Sequence, residues 1–342
     1  MLKHLKELTA LPGISGQEDA VRAYIRNVIE QSPAQTELTV DPLGNLIVRV
    51  TGAQRAARRV MFEAHMDEVG LIVTGITDEG YLRFATVGGI DDKILAGRCV
   101  TVNGHVGVIG CRAVHHCSKE ERAKAPEAAR LVIDIGADGR EAAEAVATPG
   151  DAAIFDSVFT ELADGHFQAK ALDDRVGCAL LLSLLEQPMP YDVTLVFAVQ
   201  EEIGLSGATT AAYTVQPDVS VTVEATTASD IGGTPSGREV CFVGRGAVLS
   251  FMDGRTMYDK ALYDEITALA AARDIPVQPK TAVAGGNDAG AIQGAAGGAR
   301  VAAVSLPCRY IHSPVCVLAE RDVEAARRLV AALAETLPAK SE

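Results

Sequence analysis

The sequence predicts an α/β fold: a three-layer α/β/α domain on a mixed, mostly parallel sheet, interrupted by a small β-rich, barrel-like insert. Three observations carry this expectation. After Lys170, helical stretches alternate with short apolar runs, the pattern of strands covered on both faces. Between Gly70 and Ala163 the texture changes to short apolar runs separated by Gly, Asp and Asn, which reads as antiparallel strands and turns. The chain has 342 residues, 48% of them apolar, enough for more than one hydrophobic core. The expected division is residues 1–69 and 164–342 for the α/β domain and 70–163 for the insert.

The first element is a helix with Val21, Tyr24, Ile25, Val28 and Ile29 on one face. Ahead of it, Ser15-Gly16-Gln17-Glu18 fits a capping box, in which Ser15 and Glu18 satisfy free backbone donors. Strand-like runs follow at residues 46–50 and 59–63, the second leading straight into Ala64-His65. In the insert, residues 71–76, 81–87, 98–102, 106–109 and 131–135 read as strands, and the charged, alanine-rich stretch from Lys119 to Arg130 as a solvated helix or excursion. Thereafter residues 175–186 predict a helix, 193–199 and 219–224 buried strands, 257–273 a helix, 301–306 a strand and 321–337 a closing helix. There is no internal repeat.

The formal net charge of -14 argues against nucleic acid as a partner, because phosphate backbones require a basic surface. Seven cysteines, none in a C-x-x-C pair, read as reduced thiols in a reducing compartment. The opening MLKHLKELTALPG carries Lys3, Lys6 and Glu7 and lacks the apolar core of a signal peptide. No apolar run approaches the ~20 residues of a membrane span. The expectation is a cytoplasmic protein with no membrane partner.

Five short clusters carry the chemistry, each where a predicted strand ends, and open α/β sheets bind ligands beyond the carboxyl ends of their strands. In Ala64-His65-Met66-Asp67-Glu68, His65 is a potential metal ligand and Asp67 a carboxylate placed to orient its ring. In Leu172-Asp173-Asp174-Arg175, Asp173 is either a helix cap or a carboxylate able to bridge two cations. Glu201-Glu202 follows a very apolar run, where paired carboxylates repel and are costly to desolvate, and a cation is the simplest compensation. Glu224 and His312 complete the set. Two imidazoles with carboxylates and no thiolate suit zinc, cobalt or manganese rather than a closed structural zinc site.

These clusters, in this order, resemble those of the tetrahedral (TET-type) aminopeptidases, metallopeptidase family forty-two, within the di-zinc exopeptidases. The resemblance spans nearly the whole chain, from Leu11-Pro12-Gly13-Ile14-Ser15-Gly16 through Gly285-Gly286-Asn287-Asp288-Ala289-Gly290 to Arg309-Tyr310-Ile311-His312-Ser313. It implies two divalent metal ions per subunit. His65 and Glu224 would hold one, Glu202 and His312 the other, with Asp173 bridging them. Asp67 would support His65, and Glu201 would be the general base. Position 224 is Asp in many members and Glu here. Asp288 and Arg309 would line the substrate pocket. The resemblance further implies hydrolysis of the N-terminal residue of short peptides. It also implies a homo-oligomer built from dimers through the insert, up to a tetrahedral dodecamer. His115-His116, within the insert, is expected to be structural or surface. The competing readings are a related metal-dependent deacylase or carboxypeptidase, and a glycoside hydrolase, as in relatives named endoglucanases. The last would use two carboxylates without metal and leave His65 and His312 without a role.

Overall fold

The structure, a computed structural model, describes residues 1–283 and 285–340. Helices α1 (Leu2–Ala10) and α2 (Asp19–Glu30) open the chain, followed by strands β1 (Gln35–Val40), β2 (Leu46–Thr51) and β3 (Val60–His65). The insert then begins. Strands β4 (Gly70–Ile76), β5 (Leu82–Val87), β6 (Cys99–Val102), β7 (His105–Gly110), β8 (Val132–Asp134) and β9 (Ala152–Phe155) close into a barrel in the order β4-β5-β8-β7-β6-β9. Leu71, Val73, Leu82, Val100, Ile133 and Phe155 fill it. The charged stretch after β7 contributes only the exposed helix α3 (Lys119–Arg122), capped by Ser118 and Glu121, and α4 (Arg140–Glu144) precedes β9. The sequence pattern does not single out β9, whose four residues lack an alternation long enough to read.

The chain returns to the first domain through β10 (Thr160–Glu161), β11 (His166–Ala169) and helix α5 (Leu172–Leu184). There follow β12 (Val193–Ala198), α6 (Ser206–Val215), β13 (Val219–Thr227), β14 (Ala247–Leu249), α7 (Lys260–Ala272) and β15 (Val277–Pro279). Helix α8 (Asp288–Gly294), β16 (Arg300–Cys308), β17 (Cys316–Ala319) and α9 (Glu320–Thr336) complete it. The main sheet runs β1-β2-β12-β3-β13-β16-β14-β15. Its centre, β12, β3, β13 and β16, is parallel throughout, and antiparallel pairings are confined to its flanks. The fold is thus the mixed, mostly parallel α/β architecture with a barrel-like insert that the sequence predicts.

Helices α1, α2, α5, α7 and α9 pack a large core on one face of the sheet, and α6 with α8 a smaller, alanine-rich core on the other. Helix α5 lies between β3 and β13 on one side and α1, α2 and α9 on the other. That position explains why nearly all its residues are buried and why its sequence lacks a polar face.

The capping box proves wrong. Helix α2 starts only at Asp19, after Gly16 has turned the chain at φ +85°. The Ser15 hydroxyl instead donates to Asp67 Oδ2 at 2.6 Å, and Glu18 Oε1 accepts from the Gly16 and Gln200 amides at 2.6 and 3.2 Å. A distant partner has taken the Ser15 hydroxyl, and Glu18 is shared between the nearby Gly16 and the distant Gln200.

Beneath the sheet ends lies a buried ion group. Lys170 Nζ donates to both Glu68 oxygens at 2.8 and 2.9 Å and to the Leu11 carbonyl at 2.8 Å. Arg175, with no exposed surface, donates to the carbonyls of Met66 (2.8 Å) and Leu8 (2.6 Å) and approaches Glu68 at 3.3 Å. One guanidinium therefore ties α5 to α1 and to the segment after β3. Arg175→Leu removes this tie and leaves buried acceptors without a donor. The expected loss is about 3–5 kcal/mol of stability, read as a lower midpoint in denaturant unfolding; an unshifted midpoint would refute the assignment.

Candidate metal centre

The four central strands are parallel, so their carboxyl ends lie on one side of the sheet, and the five clusters converge there. His65 is the last residue of β3. Glu201 and Glu202 follow β12, Asp173 begins α5, and His312 follows β16. Glu224 is the exception to the strand-end expectation: it sits inside β13, which continues to Thr227. Several loop residues here hold the left-handed conformation although they are not glycine, among them Ala171, Gln200, Tyr310 and His312. Such backbone is costly and persists only where its surroundings enforce it.

Asp173 stands between the two imidazoles. Its Oδ1 lies 3.3 Å from His65 Nε2 and its Oδ2 3.5 Å from His312 Nε2. Glu202 Oε2 is 3.3 Å from the same His312 nitrogen. His65, Asp173 and Glu202 each present a ligand atom, all within 4.8 Å of one another, the arrangement that could hold a metal ion. Glu224 lies close enough to feel the Asp173 charge. Its Oε1 accepts from the Asn287 amide at 2.6 Å and from the Ser305 hydroxyl at 3.1 Å, while Asn287 Nδ2 also meets the Tyr258 hydroxyl at 3.1 Å.

Asp67 organises the opposite side. Oδ1 accepts from the Glu201 amide at 3.0 Å and lies 3.4 Å from His65 Nδ1; Oδ2 accepts from the Glu202 amide at 3.1 Å and from Ser15. Asp174, fully buried, accepts from the backbone amides of His65 (3.3 Å) and Gly177 (3.0 Å) and so serves the backbone rather than the cluster.

The electrostatics follow from crowding acids in a space that excludes water. Burial pushes the Glu201 carboxyl well above the usual carboxylate range; the His65 charge opposes this, and Asp288 and Glu202 add to it. Burial also raises Glu224, to about 7, although Lys280 pulls the other way. Burial would lower His312, but its contact with Asp173 and the charge of Glu202 more than reverse this, to about 9. Asp173 is held low: burial alone would raise it, and the two imidazoles outweigh that.

Of the residues proposed for the pocket, Asp288 lies at the start of α8, 1% exposed, and pairs with the fully buried Glu63. None of their four carboxyl oxygens has a hydrogen-bond partner among the described residues; burial lifts Glu63 to about 8 and Asp288 well above its ordinary value. Arg309 forks onto Asp230 at 2.8 and 2.7 Å. His115 and His116 stack at 4.1 Å between centroids, exposed on the insert, and no group of three potential ligands forms around them among the described residues. The sequence does not single out Ser305, Tyr258 or Glu63. The apolar residues around Glu63 and Ser305 hide two polar side chains in what reads as continuous buried strand.

Two imidazoles, three carboxylates and no thiolate, drawn together where the imidazoles and, at Glu224, Lys280 only partly offset the negative charge, fit divalent cations. The comparisons with known proteins agree. A model of the M42 glutamyl aminopeptidase family matches residues 44–329. This chain belongs to that family. It is 31% identical over 344 residues to the lysyl aminopeptidase of Pyrococcus furiosus, covering 97% of this chain and 96% of the relative. A TET aminopeptidase from a marine sediment archaeon of the Thaumarchaeota superposes with a TM-score of 0.93 at 34% identity, covering 98% of this chain and 96% of that one. The Pyrococcus horikoshii TET1 peptidase, described as assembling into a tetrahedron or a large octahedral shell, superposes with a TM-score of 0.86 at 35% identity, covering 98% and 99%. M42 peptidases are metal-dependent, and this chain is a metalloaminopeptidase of the TET type.

Asp67 is the residue on which the geometry of the 201–202 loop turns. Asp67→Ala removes the acceptor for both amides, each such charge-assisted hydrogen bond being worth about 1.5–3 kcal/mol. Amide hydrogen exchange at Glu201 and Glu202 should accelerate markedly in the variant while exchange in β13 does not; unchanged protection would show that the loop is held by something else.

Proposed function

We propose that the chain removes the first residue of short peptides with two divalent cations, zinc first among the candidates and cobalt or manganese as alternatives. His65 and Glu224 would hold one, His312 and Glu202 the other, and Asp173 would be shared between them. The observation that carries this reading is Asp173, which offers one oxygen to each of two imidazoles at 3.3 and 3.5 Å. When bound, the cations supply Lewis-acid polarisation of the scissile carbonyl and lower the pKa of a bound water from ~16 toward ~7.

The protein's own groups do the rest. Glu201 takes a proton from the attacking water as the new C–O bond forms. It then returns that proton to the amide nitrogen as the C–N bond breaks and the amine leaves. Its burial suits this role, because a carboxyl raised toward neutrality is a stronger base. Asp67 fixes the His65 ring and the backbone that carries Glu201 and Glu202. Asn287 and Ser305 occupy one oxygen of Glu224 and leave the other for a cation.

Residues 70–163 are proposed as the inserted domain through which copies of the chain pair, on the strength of the closed barrel and of its exposed Val106, Val108 and Val114. Assembly into a dimer-based homo-oligomer follows the TET1 relative. A cytoplasmic setting suits seven cysteines that are all free.

Glu201→Gln should lower kcat on aminoacyl anilides by about 10²–10⁴ while cation stoichiometry, read by elemental analysis, stays unchanged. Near-normal turnover would remove Glu201 from the base role. Cation affinity should rise with pH. In the cation-free protein Glu224 titrates at about 7 and His312 at about 9, both above their ordinary values, so incoming cations must displace protons. Zinc competition against a chelator should therefore tighten between about pH 6 and pH 9; a flat profile would count against these ligands.

A further inference from the structure

A line of three buried side chains, Asp253, Tyr258 and Asn287, ends on Glu224. The Tyr258 hydroxyl donates to Asp253 Oδ2 at 2.8 Å. Asn287 Nδ2 donates to the Tyr258 oxygen at 3.1 Å and to Glu224 Oε1 at 2.6 Å. Both hydrogens of that amide are thereby spent. Its carbonyl oxygen accepts from the Ala289 amide at 2.9 Å as the cap of α8, so the group cannot turn over without losing the cap.

The far end of the line is anchored. Asp253 Oδ1 accepts from the amides of Arg255 and Thr256 at 2.8 and 2.7 Å. The Gly254 amide donates to the Gly285 carbonyl at 2.8 Å. The two segments lie so close that a Cβ at Gly254 would stand 2.5 Å from the Gly285 oxygen, and one at Gly290 2.9 Å from the Thr256 hydroxyl. The turn that carries Asp253 and Tyr258 and the loop that carries Asn287 are therefore held against each other. Burial, with the charges of Glu224 and Asp253, pushes the Tyr258 phenol up, so it stays a donor.

We infer that Tyr258 is a positioning residue for the cation assigned to His65 and Glu224: acting through Asn287, it fixes which oxygen of Glu224 is turned to the centre. Oε1 is occupied by Asn287 and, at 3.1 Å, by the Ser305 hydroxyl, and Oε2 is the oxygen left for the cation. Tyr258 itself touches neither cation nor substrate. The inference rests on the two-metal reading and makes the two cation sites unequal. The line of hydrogen bonds ends on Glu224 and not on Glu202 or His312, so disturbing it should be felt at one site only.

The test measures zinc retained by the loaded enzyme against graded chelator, which yields a dissociation constant for each site. Glu224→Gln removes the carboxylate charge and so marks the constant that belongs to its site. Tyr258→Phe deletes one hydroxyl and keeps the ring. It should weaken that same constant by about tenfold, the worth of one buried hydrogen bond, and leave the other within about twofold. Glu224→Asp is one methylene shorter and draws the carboxyl away from Asn287, so adding Tyr258→Phe to it should change little further. Should Tyr258→Phe fail to fold, Asp253→Asn poses the same question at the neighbouring member of the line, with the same two outcomes. A variant that weakens neither constant would overturn the inference and leave the two-metal reading standing. So would one that weakens both alike while its unfolding midpoint falls, since Tyr258 would then be only part of the core. A wild type that retains a single zinc per chain would instead sink the two-metal reading itself.

Discussion

Asp173 stands within electrostatic reach of both Glu202 and Glu224 in a region from which burial has removed most of the water. Like charges so placed raise each other's proton affinity, and a fold can tolerate them only with opposite charge close by. The two imidazoles supply a little, each drawn to Asp173. The remainder is what a pair of divalent cations would provide. Much of the surrounding structure makes sense as the means of holding these acids together until that charge arrives.

The holding is done by backbone and by neutral or ionic side chains outside the cluster. Asp67 spends its oxygens on two loop amides and on Ser15, and Asp174 spends its own on two more amides. A relay from Asp253 through Tyr258 to Asn287 ends on Glu224. Behind these, Arg175 and Lys170 clamp Glu68 and the first loop against α5. Charges at the cluster are left for ligands, whereas those one layer out are consumed by structure.

Much of the architecture could be read from the chain because burial leaves a simple trace. β12 and β16 are apolar on both faces, as central parallel strands must be, and the barrel strands show breaks at Gly, Asp and Asn. The clusters stood out because acids and histidines directly after such runs have no apolar reason to be there. Where the reading failed, competition between local and distant partners decided the outcome. Ser15 and Glu18 have the spacing of a cap, yet Asp67 draws off the Ser15 hydroxyl, and Glu18 turns to the amides of Gly16 and Gln200 instead. β9 is too short to show a period.

By itself, then, the chain determined its layers, the presence of an insert and which side chains were candidates for cation binding, because hydrophobic periodicity and out-of-place charge are local properties. Only the tertiary structure decided that Asp173 faces both His65 and His312 and that Arg309 is committed to Asp230. Those are pairings between residues up to well over a hundred positions apart. They depend on sheet order and on the direction each strand end points, neither of which any stretch of sequence contains.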